Sequence, residues 1–141
     1  MDLPSTLYFQ YLKPSPSPPK TFIFKKTSAN TTDTVQTYTT VPDNLDLILF
    51  NACVRGIAGA AQTVTRLHLI VYSQGLNYEA DIFTRAFPSG GLVEGADQSW
   101  NGLYIPGGWN IQGIADFSAG VSSNIVTLSL LGHLIPPTGF V

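Results

Sequence analysis

The sequence predicts an all-β fold: a single jelly-roll-like β-sandwich of about eight antiparallel strands, preceded by an extended, proline-rich N-terminal arm. Three observations predict it. Short apolar runs with period-two alternation recur at roughly 8–13-residue spacing, each bounded by Gly, Pro, Asn or Asp. No stretch reads as an amphipathic helix; residues 52–62 come nearest, and Gly56 and Gly59 interrupt them. Cys53 is the only cysteine, so no internal disulfide staples the chain, and 141 residues are enough to bury a two-layer core without one. An immunoglobulin-like sandwich is the second arrangement that this strand spacing allows.

The expected division is an arm over residues 1–20 and a sandwich over residues 21–141. Five of the ten prolines fall in the arm, four of them within Pro14-Ser15-Pro16-Ser17-Pro18-Pro19. Fixed φ and missing N–H groups keep such a run extended and out of the middle of a sheet. Ahead of it, Leu7-Tyr8-Phe9-Gln10-Tyr11-Leu12 is aromatic. One reading is a frayed terminus with a chance apolar cluster. The sharper one is an arm whose tip, through Tyr8, Phe9, Tyr11 and Leu12, docks on a neighbouring subunit.

The body starts with a short strand over residues 21–26, followed by a polar loop over 27–34. Val35-Gln36-Thr37-Tyr38-Thr39-Thr40-Val41 is β-branched and alternating, hence a strand, and Pro42-Asp43-Asn44 turns the chain. Residues 45–55 are apolar on both faces, as in a central strand. Strands are expected at 62–73 and 78–87, then an irregular stretch over 88–98. Trp100, Gly102 and Tyr104 alternate with Asn101, Leu103 and Ile105 up to Pro106-Gly107-Gly108. After it, Trp109, Ile111, Gly113, Ala115 and Phe117 share one face. The expectation is a β-hairpin with an aromatic residue at each shoulder. A last strand runs over 125–134.

Charged residues make up 11% of the chain, against about 25% in ordinary soluble domains. Disordered chains are charge-rich and aromatic-poor, and no run of about 18 apolar residues suggests a membrane span. Depletion of charge fits a surface covered by other protein, or one that is neutral and polar. With net charge −2 and no basic run beyond Lys25-Lys26, nucleic-acid binding is not expected. Met1-Asp2-Leu3-Pro4 offers neither a basic nor an apolar leader, so no signal peptide is expected.

Val41-Pro42 before an apolar strand, Leu67-His68-Leu69-Ile70-Val71 at mid-chain and Trp100-Asn101-Gly102-Leu103-Tyr104-Ile105-Pro106-Gly107-Gly108 before the last strands form an ordered set. Over roughly residues 35–135 this set resembles the small jelly-roll structural proteins of tailed bacteriophages, the capsid decoration or cement proteins and minor virion proteins. In those, Trp-x-Gly-x-hydrophobic-x-x-x-Gly precedes the penultimate strands. The resemblance implies a virion location and a homo-oligomer, often a trimer, whose partners are a major capsid protein or other virion proteins. The proline-rich arm is not part of that pattern. A receptor- or glycan-binding head domain of a phage fibre or tail protein is the alternative.

Catalysis has little support in the sequence. His68 and His133 sit in expected strands without a nucleophile or carboxylate in a recognisable arrangement, and an enzyme is not expected. No His-x-His, Glu-x-x-His or second cysteine suggests zinc. Cys53 reads as a packed thiol with a raised pKa, and Asp46, Asp81 and Asp116 as strand residues without acidic neighbours in sequence. Glu94 and Asp97 could approach calcium, but two carboxylates fall short of its six to eight oxygens, so neither cofactor nor metal is expected. Trp100, Tyr104 and Trp109 remain, either as core or interface anchors or as an aromatic platform for a sugar ring.

Overall fold

The computed structural model describes residues 20–137 apart from 74 and 76. Eight antiparallel strands follow one another: β1 (Lys20–Asn30), β2 (Thr34–Thr40), β3 (Asp46–Ile57), β4 (Val64–Ser73), β5 (Tyr78–Ala86), β6 (Val93–Ile105), β7 (Asn110–Phe117) and β8 (Asn124–Ile135). One sheet has the order β1-β8-β3-β6, the other β2-β7-β4-β5. This is the jelly-roll order, and no helix occurs among the described residues. The arm residues Tyr8, Phe9, Tyr11 and Leu12 lie outside the described residues.

Alternation builds the core. Leu47, Leu49, Ala52 and Val54 of β3 and Val126, Leu128 and Leu130 of β8 point inward from the first sheet. They meet Val64, Leu67 and Leu69 of β4 and Ile111, Ala115 and Phe117 of β7 from the second. The shared face expected for Ile111, Gly113, Ala115 and Phe117 is therefore the core face. β3 sits between β8 and β6, which explains why it is apolar on both sides.

Three expectations about local structure fail. The first concerns the hairpin across Pro106-Gly107-Gly108: β6 and β7 belong to different sheets, so the turn is a crossover at one end of the sandwich. Every connection but β4–β5 changes sheet, and β4–β5 is the hairpin. Second, residues 93–98 are not irregular. They pair with β3 from Ile57↔Val93 to Ala52↔Gln98, because backbone pairing with a central strand overrides the weak strand preference of Glu, Gly and Asp. Third, β1 continues through the polar segment to Asn30, paired with β8 along its length, leaving only residues 31–33 as the turn.

The β6–β7 crossover interlocks with the β2–β3 crossover. Gly108 donates to the Val41 carbonyl at 2.8 Å, and Val41 donates to the Trp109 carbonyl at 2.9 Å. The Asp46 carboxylate accepts from the Gly107 amide at 3.0 Å and from the Tyr104 hydroxyl at 2.8 Å. A side chain at 107 would meet the Leu45 carbonyl oxygen at 2.4 Å, and Gly108 holds φ 83° beside the Asp43 carboxylate. Only glycine lets these two turns close on each other.

At the other end Asn124, fully buried, ties three connections together. Its side-chain oxygen accepts from the Gly59 amide at 2.8 Å, and its amide donates to the Thr32 and Ala119 carbonyls, each at 2.9 Å. Asn124→Ala would leave all three loop groups short of a partner. We expect a loss of about 2–3 kcal/mol in unfolding free energy, read by chemical denaturation, with the far-ultraviolet spectrum unchanged.

Candidate functional site

The two outward faces of the sandwich are chemically unlike, and the difference follows from the register. On the β2-β7-β4-β5 sheet, rows across the strands bring Thr34, Asp116 and Arg66 into line, with His68 beside Ile114 and Thr84. Asp116 is the hub. Its carboxylate accepts from Arg66 Nε at 2.9 Å, from His68 Nε2 at 3.0 Å and from the Thr34 hydroxyl at 2.9 Å. Burial by itself would push this carboxyl up; the donors from His68, Arg66 and Thr34 together outweigh that and hold it below the ordinary aspartate value. An open cleft of about 450 Å³ lies beside it, lined by Asp33, Thr34, Thr65, Arg66, Asp116 and Phe117.

Asp116, His68 and Thr84 have the order of a nucleophile relay, but the hydrogen bonds point elsewhere. The Thr84 hydroxyl stands 3.3 Å from His68 Nδ1 and donates to Asp81 at 2.6 Å, so its proton is committed to a carboxylate. The cluster clamps β7 to β2 and β4. This is the carboxylate that the sequence places far from His68 and the fold brings beside it.

The outer face of the β1-β8-β3-β6 sheet carries a largely apolar patch at one end, with Lys25, Arg55 and Asp97 further along it. Ile23 pairs with Leu131, and Thr21, His133, Ile48 and Tyr104 form the next row. Ile23 is 77% exposed, Leu131 44% and Tyr104 52%. Phe50, beside the register shift that separates Leu49 from Asn51, meets His133 edge-on with ring centroids 5.1 Å apart. Neither row carries a Lys, Arg, Asp or Glu. The Tyr104 hydroxyl is held by Asp46, which raises its pKa first through that hydrogen bond and then through desolvation and the carboxylate's charge.

The three aromatics singled out by the sequence separate. Trp100 packs against the core, Tyr104 faces out of the first sheet, and Trp109 meets Tyr78 at 5.4 Å between ring centroids. Trp100 and Tyr104 lose their common face because the β3–β6 register slips between Leu49↔Leu103 and Asn51↔Ser99. Among the described residues no ring contact joins the three. Cys53 is half-buried on the outward side of β3 rather than in the core, and burial, followed by the Asp97 charge, pushes its thiol up while Arg55 opposes them. Glu94 and Asp97 lie on β6 rather than in a loop. No three His, Cys, Asp or Glu side chains converge as a metal site among the described residues.

With fold and faces in hand, the strand order and the two unlike surfaces define a jelly-roll β-sandwich domain. No protein-family model matches the sequence, and no curated protein matches it significantly. Solved structures share the fold distantly. A mitogen from Yersinia pseudotuberculosis aligns with 70% of this chain and 86% of its own at 9% identity and a TM-score of 0.39. A chain of infectious bursal disease virus, Gx strain, aligns with 88% of this chain at 12% identity and a TM-score of 0.43, and this chain spans 34% of its length. A nora virus chain covers 82% of this one and 57% of its own, at 8% identity and a TM-score of 0.36. The likeness is one of fold alone.

The Asp116 clamp makes a pH-dependent contribution. A carboxyl held low in the fold stabilises it fully above the ordinary aspartate range, and that contribution disappears as pH falls through the depressed folded value. Asp116→Asn should cost about 1–3 kcal/mol at neutral pH. The difference from the wild type should shrink as pH falls below about 4, measured by urea unfolding at several pH values.

Proposed function

We propose that this chain is a structural protein of a virion, and specifically a bacteriophage capsid decoration or cement protein that oligomerises, as a trimer, and binds the shell. The observation that carries the reading is the exposed, largely apolar patch of Ile23, Leu131, Ile48, Phe50 and Tyr104 at one end of the outer face of the β1-β8-β3-β6 sheet, in a chain whose charge content is already low. Such a face is costly in water and is the chemistry expected of a surface that other protein covers. The opposite sheet offers the reverse, an outward surface stitched by Asp116, Arg66, His68 and Thr84 that tolerates solvent.

The sequence resemblance to phage jelly-roll proteins points the same way and supplies the partner, a major capsid protein or another virion protein. The aromatic arm residues Tyr8, Phe9, Tyr11 and Leu12 add a second contact. The role is bridging rather than catalytic. Many weak symmetric contacts on one particle act together, so each need contribute only a few kcal/mol.

The test is composition of the particle. Purified virions should contain this chain at a fixed ratio to the major capsid protein by quantitative mass spectrometry, and an antibody to the sandwich should label intact particles. Its absence from purified virions would overturn the reading. Deleting residues 1–19 should leave the sandwich folded while weakening oligomerisation or shell attachment, read by light scattering and particle co-sedimentation.

A further inference from the structure

We infer that the apolar outer face of the β1-β8-β3-β6 sheet is the acceptor for the N-terminal arm of a second copy of this chain, with residues 7–12 of one copy lying across Ile23, Leu131, Phe50 and Ile48 of the next. The inference rests on the reading of the chain as an assembling subunit and names the contact through which it assembles.

The acceptor is built from the register. Ile23 on β1 stands beside Leu131 on β8, and Phe50 bulges from β3 against His133. Ile48 completes the floor between His133 and Tyr104. The apolar centre of Ile23, Leu131, Phe50 and Ile48 is bordered by polar groups, the His133 ring and Thr21, the Tyr104 hydroxyl, and Asn51 with Ser99 in the row of Leu131. Charged residues flank it on both sides: Lys25 and Asp97 in one neighbouring row, aligned through Ser129 and Cys53, and in the other Asp46, paired with Ile135, whose carboxylate holds the Tyr104 hydroxyl.

The occupant follows from what the chain has left to offer. Outside the described residues lie 1–19 and 138–141. The first holds Leu7-Tyr8-Phe9-Gln10-Tyr11-Leu12, six residues without a charge, whose aromatic and aliphatic side chains match an uncharged acceptor. Residues 138–141 offer one aromatic side chain, Phe140, against the three of residues 7–12. Residues 7–12 carry no charge, and the Asp46 carboxylate at the acceptor's edge is already held by the Tyr104 hydroxyl and the Gly107 amide, so docking buries no unpaired ionised group.

Length decides which copy is covered. The arm joins the body at Lys20, opposite Leu134 and one residue from the Thr21–His133 pair. The acceptor of the same copy therefore begins at the attachment point, and Ile23 lies about 10 Å along the strand. Between Leu12 and Lys20 stand eight steps, four of which are prolines. At about 3.1 Å per residue that spacer spans roughly 25 Å. That length exceeds the distance to the copy's own acceptor, which is why we infer a second copy as the acceptor. Proline also restricts the free arm, which lowers the entropy lost on docking.

Two full-length variants test the inference. One carries Ile23→Lys with Leu131→Lys and keeps its arm; the other carries Phe9→Ser with Tyr11→Ser and keeps its acceptor. Both substituted acceptor positions point outward, so the fold should survive, checked by circular dichroism and melting temperature. A milder pair, Ile23→Ser with Leu131→Ser, repeats the test without added charge. By mass photometry and sedimentation at about ten micromolar, the wild type should assemble and each variant should run as a single chain. Mixed in equal amounts, the two variants should form a species of two chains and no larger, because only one arm and one acceptor remain per pair. Val121→Lys, at a loop position 82% exposed and away from this sheet face, should assemble as the wild type does. An acceptor variant that keeps the wild-type mass overturns the inference, as does a mixture that stays monomeric, which would mean the face meets something other than the arm. A wild type that is itself monomeric would instead overturn the assembly reading on which the inference rests.

Discussion

The two crossovers at one end of the sandwich must close on each other before the sheets can face. β2 leaves one sheet and β3 enters the other, while β6 and β7 make the opposite passage a few ångströms away. Gly107 and Gly108 bring the backbones into contact, and the Asp46 carboxylate holds the Gly107 amide and the Tyr104 hydroxyl at once. At the far end Asn124 does the same for three loops. With both ends fastened by buried polar groups, the long strands between them need only alternate correctly. That division of labour explains how the sandwich closes without a disulfide. It also fixes the pleat, and through the pleat it decides which side chains face outward.

Surface character is therefore a consequence of register. A one-residue slip would exchange Ile23 for Phe22 and Phe24, and Leu131 for Leu130 and Gly132. As the chain is built, one face is sewn together by Asp116 and its donors and the other carries an exposed apolar patch around Ile23 and Leu131. On the first face the side chains around Asp116 satisfy one another by hydrogen bonds within the molecule. On the second, Ile23 and Leu131 stand exposed among the described residues, and burial of such side chains is worth roughly 1.5–3 kcal/mol each.

Much of this was legible in the sequence, and the rest was not for definable reasons. Period-two alternation located the strands because each has one face in the core, and the two-sided apolar run of β3 correctly announced a central strand. What alternation and turn residues encode is a change of direction. They do not say whether the next strand stays in the sheet, so Pro106-Gly107-Gly108 read as a hairpin when it is a crossover. Strand β6 was half hidden because Glu94, Gly95 and Asp97 have poor strand preference and are held by pairing to β3. The phase slip between Trp100 and Leu103 cannot be seen in a pattern that assumes perfect alternation, and it is this slip that parts Trp100 from Tyr104. The Asp116–His68 contact joins residues 48 apart in sequence, where no local pattern reaches. The exposed Ile23 and Leu131 looked like ordinary strand residues until the sheet assigned them a side.

In the proposed assembly one face of the sandwich is covered and the other is not. Hydroxyl-radical footprinting of the assembled protein against its dissociated form compares them residue by residue. Ile23, Leu131, Phe50 and Tyr104 should lose reactivity on assembly while Tyr38 and His68 keep theirs. Protection confined to the Asp116 face, with Ile23 and Leu131 unchanged, would contradict it.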